Sequence, residues 1–197
     1  MSFNIMDGTG TGKSAKVDTN NRLYVNSEGK TAVEAATDKG DSYNLNTGVI
    51  NLTSANETAV LYVKNTDPDR DIHVSALAVG LGPSTGGTGS IPKVTVTRNP
   101  TGGTLVDSNN DIDVNSNRNF SSSQTLTATT LKGAEGETLT GDTDHLIIFQ
   151  TANGRLFATI DEVLGNGASI GVKIDPQPSN TSMDIYAALI CHTEASG

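Results

Sequence analysis

What most constrains this chain is a two-residue hydrophobic rhythm that returns run after run with no helical stretch between the runs. Residues 93–98 (Lys-Val-Thr-Val-Thr-Arg) alternate apolar and polar, as do residues 111–114 (Asp-Ile-Asp-Val). In residues 168–174, Ile170, Val172 and Ile174 fall on one face; in residues 183–191, Met183, Ile185, Ala187, Leu189 and Cys191 share a parity. Successive side chains of a strand point to opposite faces, so each run reads as a strand with one face buried. Residues 58–64 (Thr-Ala-Val-Leu-Tyr-Val-Lys) are apolar on both faces, residues 71–80 form a further run, and residues 125–131 follow the pattern less strictly. Residues 145–150 carry Leu146, Ile147, Ile148 and Phe149 at their centre and read as a fully buried strand. The helical hints are a turn at residues 161–164 and the stretch 31–36, which reads equally as a strand or a weak helix.

Roughly eight strands separated by Gly, Pro, Asn and Asp clusters predict an all-β fold, an antiparallel β-sandwich. The long, irregular loops favour a jelly roll over a tight meander. The chain divides near residue 40. Residues 1–40 read as an extended N-terminal arm carrying one β-hairpin (residues 15–17 and 22–25, joined by Asp18, Thr19, Asn20 and Asn21), and residues 41–197 as the sandwich.

Composition narrows the function classes. A net charge of −9 argues against nucleic acid, whose binding needs clustered Lys and Arg, and against an anionic membrane surface. Aromatic residues make up 4% of the chain and Trp is absent, which disfavours an aromatic-lined ligand pocket. Cys191 is the single cysteine and lies in an apolar run, so it reads as a core residue. No apolar stretch reaches the roughly 18 residues of a membrane span. Met1 to Met6 shows neither a basic nor an apolar signal region, so the expected site of synthesis and assembly is the cytoplasm. The sequons at Asn51, Asn56, Asn119 and Asn180 then read as chance products of an Asn- and Thr-rich chain.

Two motifs invite an enzymatic reading and both fail on context. Residues 8–14 (Gly-Thr-Gly-Thr-Gly-Lys-Ser) resemble a phosphate-binding loop, but the glycine required at the start is Asp7, and a hairpin follows where a helix is needed. Residues 82–86 (Gly-Pro-Ser-Thr-Gly) match a nucleophile elbow around Ser84, yet they run into a Gly-rich loop instead of a helix. The carboxylates at residues 67–71 and at Asp107, Asp111 and Asp113 lack the Gly and Glu positions of a calcium loop; the first group reads as a turn with Arg70 as its counter-charge. His73, His145 and His192 have no metal-ligand spacing. The acidic stretch 134–144 reads as a solvated loop. No catalytic residue, cofactor or metal site is expected, and the chain reads as no enzyme.

The opening stretch, residues 7–25, with Asp7-Gly8-Thr9-Gly10, Ala15-Lys16-Val17-Asp18 and Asn21-Arg22-Leu23-Tyr24-Val25, resembles the N-terminal segment of tailed-bacteriophage virion proteins. Residues 59–65, 94–100, 117–120 and 132–136 are similar in style to the bodies of those proteins. The resemblance implies a structural virion protein of the capsid decoration (cement) or head-fibre type. It further implies a homotrimer of jelly rolls on the capsid surface, bound to the major capsid protein. An arm of 40 residues reaches at most about 130 Å, enough to cross between capsomers. The expected contact residues in the arm are Arg22, Leu23 and Tyr24, which suit interface anchors. The alternative is a tail or fibre module recognising host-surface carbohydrate through residues 82–90 or 134–144, against which the scarcity of aromatic rings counts.

Overall fold

The computed structural model describes residues 30–53, 56–82, 91–150, 153–176 and 182–197. The expected hairpin, Arg22, Leu23, Tyr24 and Ser84 lie outside the described residues. Residues Ala32–Gly197 form one compact unit. It contains a helix, α1 (Ala32–Lys39), and strands β1 (Ser42–Asn46), β2 (Ile50–Leu52), β3 (Thr58–Asn65), β4 (Arg70–Leu81), β5 (Lys93–Arg98), β6 (Val114–Asn117), β7 (Ala128–Lys132), β8 (Thr143–Phe149), β9 (Arg155–Leu164), β10 (Ser169–Asp175) and β11 (Met183–Ala195).

The strands make two antiparallel sheets packed face to face, so the chain is an all-β sandwich. The first sheet runs β6-β1-β11-β4-β9, with β2 also on β11; the second runs β7-β3-β10-β5-β8. The alternation seen in the sequence sets the register. Leu45, Leu77 and Leu189 of the first sheet meet Leu61, Val172 and Ile174 of the second in one buried cluster. Cys191 belongs to that cluster, and desolvation pushes its thiol up to about 12, so it stays a protonated packing group. Residues 31–36, ambiguous in sequence, enter α1, which buries Ala36. Gly40, at φ +80°, ends that helix, and the Asp41 N–H donates to the Ala36 carbonyl.

Strand β3 is apolar on both faces because the second sheet has a covering on its outer side. Leu105 and Leu139, from the loops on either side of β6 and β7, pack over Ala59, Tyr62 and Leu131 as a second, smaller core. The stretch 134–144 is therefore not simply solvated: Leu139 is buried, and Gly133 and Glu137 bond to β3 through backbone atoms. Gly171 lies beneath it, where an added Cβ would fall 2.4 Å from Leu139 Cδ1.

Several sequence expectations are corrected. Residues 145–150 are not buried: β8 is the edge of the second sheet, and its residues alternate between exposed and half-buried. The turn expected at residues 161–164 is the end of strand β9, the opposite edge strand of the first sheet. A bulge with Asp161 at φ +42° interrupts its pairing with β4, and the inward Glu162 and outward Phe157 and Val163 blur its two-residue rhythm. The strand expected at 111–114 lies at Val114–Asn117, with Asp111 making an isolated bridge to Leu131. Arg70 stays within electrostatic reach of Asp67 in its turn but makes its direct bonds outside it. It pairs with Asp41 at 2.8 Å and donates to the Thr193 carbonyl at 3.1 Å.

Candidate interaction surface

Lys173 Nζ lies 2.8 Å from Asp142, 3.2 Å from Asp144 and 3.6 Å from Glu57, and Lys93 Nζ lies 2.9 Å from Glu57. The three carboxylates thus converge, on the outer side of the sandwich, on two ammonium groups that supply their counter-charge. Asp113 pairs with Lys132. Among the described residues, no three His, Cys, Asp or Glu side chains are gathered as metal ligands.

Register brings two of the histidines together. His73 on β4 lies opposite His192 on β11, and their rings stack with centroids 5.1 Å apart. Glu194 approaches both, at 3.3 Å from His192 and 3.8 Å from His73, and the Ser75 hydroxyl lies 3.5 Å from His192 Nδ1. Burial, reinforced by the neighbouring His73, lowers the pKa of His192 below its ordinary 6.5 although Glu194 opposes the shift. The unfolded chain therefore takes up this proton first as pH falls. Stability that is intact above pH 6.5 should decline below it. Urea midpoints at a series of pH values should show that decline, and His192→Gln should flatten it. An unchanged slope in the variant would assign the effect elsewhere.

The surface features are more informative than the titratable ones. On the β6–β7 side, the core is sealed by buried Ile112 and Leu126. On the β8–β9 side it is not: Leu146, Leu156 and Ile160 pack on the core yet remain half-buried. The two edge strands come together here through a hydrogen bond between His145 and Glu162, with no backbone ladder between them among the described residues. Large apolar side chains stand exposed on both edge strands, Ile147 (48% exposed) and Phe149 (64%) on the outer face of the second sheet, Phe157 (66%) and Val163 (53%) on the opposite, outer face of the first. Ile147 and Phe149 point away from the second sheet's inner face, since their neighbours Leu146 and Ile148 pair with the inward Val96 and Val94. Phe157 likewise points outward, paired with Ala78.

Next to the flank, the outer face of the first sheet carries Ala76, Ala78 and Ala188, with Tyr186 lying over Gly80, whose added Cβ would meet the ring at 2.0 Å. Beyond it is a cleft of about 260 Å³ lined by Tyr186, Arg155 and Asp184 among others. The sequence showed the apolar run at Leu146–Phe149 but assigned it to the interior. The exposed Phe157 and Val163 were missed because β9 itself was missed. Of the sites weighed in sequence, Arg22, Leu23, Tyr24 and the Ser84 motif lie outside the described residues, and residues 134–144 are mostly exposed, with Leu139 alone buried over the second sheet. Compared with known proteins, the chain matches no family model, and no curated protein or solved structure proves similar to it.

Proposed function

We propose that this chain is a structural protein of a tailed-bacteriophage particle that decorates or cements the capsid by binding the major capsid protein. The observation that carries this reading is the opening segment, residues 7–25, whose pattern resembles the arms of such virion proteins. The sandwich supports it from the other side: its carboxylates near Lys173 are held in ion pairs, while an apolar flank is left open for contact. We also infer a jelly roll from the strand succession. Strands β1, β11, β4 and β9 of one sheet face β3, β10, β5 and β8 of the other, with β6 and β7 added at one side.

A second reading, a fibre or tail module that binds host-surface carbohydrate, is favoured by the cleft beside Tyr186, where a ring adjoins Arg155 and Asp184. One experiment separates the two. Purified full-length protein is mixed with capsids lacking it and, in parallel, with host cells. Saturable binding to capsids, with occupied shells surviving heat or low salt that disrupts bare ones, is expected. Saturable binding to cells alone, abolished by Tyr186→Ala, would replace decoration with carbohydrate recognition.

A further inference from the structure

We propose that Asn153 is a site of spontaneous covalent modification, where cyclisation onto Gly154 followed by hydrolysis puts a new carboxylate into the cleft beside Tyr186. The inference concerns the chain alone and rests on neither reading of its function. In the first step the Gly154 amide nitrogen attacks Cγ of the Asn153 side chain. The Cγ–Nδ2 bond breaks, and the amide proton leaves with that nitrogen as ammonia. Water then opens the cyclic imide. Cleavage at Cγ gives aspartate, and cleavage at the backbone carbonyl gives isoaspartate. Glycine admits this attack most easily, because it has no Cβ to block the approach.

The sequence holds two Asn-Gly steps, Asn153-Gly154 and Asn166-Gly167, and in both the asparagine is exposed. The structure separates them. The peptide plane between the two residues must turn to bring its nitrogen onto Cγ, so reactivity depends on what holds that plane. At the second step, the Gly167 N–H donates to the Asn65 carbonyl at 2.9 Å. Asn65 is itself fully buried, and its side chain bonds to the carbonyls of Arg70 and Leu164. That plane is therefore tied to the core. At the first step, neither the Asn153 carbonyl nor the Gly154 N–H is bonded among the described residues. The planes on either side are anchored instead: the Asn153 N–H donates to the Gly82 carbonyl and the Leu81 N–H to the Gly154 carbonyl, both at 2.9 Å. The plane between them can turn while the fold around it holds.

The position gives the product its consequence. Asn153 and Gly154 line the cleft, whose charged groups among the described residues are the Arg155 guanidinium and the Asp184 carboxylate. Conversion of Asn153 turns this balanced pair into an acidic cleft, so an anionic ligand loses the advantage that Arg155 offers it. Isoaspartate also inserts its Cβ into the main chain between the anchors at Gly82 and Leu81.

The test is peptide mapping by mass spectrometry of the full chain, incubated at mildly alkaline pH both folded and in concentrated urea. In urea the two steps share the same local chemistry and should convert at similar rates. In the folded chain Asn153 should convert about tenfold faster than Asn166, the factor set by one backbone hydrogen bond that must break. Gly154→Ala should slow conversion at Asn153 and leave Asn166 as it was. A variant that fails to fold declares itself, because Asn166 then converts at its rate in urea. A folded wild type that leaves Asn153 intact over a period that converts it in urea overturns the proposal. So does one in which Asn166 converts as fast as Asn153.

Discussion

Replacing Gly133 by alanine is expected to destabilise the sandwich by about 3 kcal/mol, the upper part of the range for forcing atoms into packed space. A Cβ at this position would fall 1.8 Å from the Ala59 carbonyl oxygen and 3.2 Å from Val60 Cα. These are backbone atoms of β3, so no rotamer change relieves the clash. Relief requires breaking the Gly133 N–H bond to the Val60 carbonyl at 3.0 Å, or the Ala59 N–H bond to the Glu137 carbonyl at 2.8 Å. Either way the covering loop lifts and carries Leu139 off the second core. Gly136 is the control: it has φ +80° but nothing within 4 Å of its added Cβ. Gly136→Ala should therefore cost about 1 kcal/mol of backbone strain alone. Thermal midpoints should show the contrast, with Gly133→Ala lowering Tm by about 6–12 °C at the usual conversion for a chain of this size. Equal midpoints for the two variants would mean that the loop yields without loss.

Asn65→Leu should be comparably severe, at about 4 kcal/mol, for a different reason. Asn65 is fully buried at the end of β3 in the second sheet, and its side-chain amide donates to the carbonyls of Arg70 and Leu164, both at 2.8 Å. Those acceptors belong to β4 and β9 of the first sheet, so one side chain bonds the two layers together. Its oxygen accepts the Asp67 N–H at 2.9 Å and shapes the β3–β4 turn. Leucine leaves these backbone groups without partners, at about 1–3 kcal/mol for each that stays dry. Asn65→Asp is the sharper test because it keeps the shape and the accepting oxygen but turns a second oxygen on two carbonyls. Equilibrium unfolding in urea should show both variants destabilised. An Asp variant as stable as the wild type would remove the amide from the account.

The sequence was most legible where burial follows the strand period. Ile170, Val172 and Ile174 show their face directly, as do Met183, Ile185 and Leu189, because a two-residue rhythm and a one-sided core are the same fact. Strand β3 was also legible as apolar on both faces, though the loop residues that cover its outer side, Leu105 and Leu139, were not. Edge positions were illegible. The run Leu146–Phe149 has the composition of a central strand, and nothing local records that β8 has a neighbour on one side alone. Strand β9 was lost because its alternation is blurred in composition: Leu156, Ala158, Ile160 and Leu164 share the inward parity, but Glu162 interrupts them and the outward positions carry Phe157 and Val163. Contacts set by register were equally hidden. His73 and His192 stack, and Arg70 meets Asp41, only because distant strands align, which no spacing along the chain reports.

The central place of β11 in the first sheet has a consequence for how the molecule is made. This strand pairs with β1, β2 and β4, joining Ser42 to His192 and Leu52 to Met183. During synthesis, β1 and β4 must wait for residues 183–195 before they have the neighbour that sits between them. Until then each carries a raw edge at what will become the middle of the sheet. Such long-range pairing predicts slow folding that completes late in translation, with an aggregation-prone nascent chain. Chains truncated before Met183 should accumulate as insoluble material instead of as a smaller sandwich.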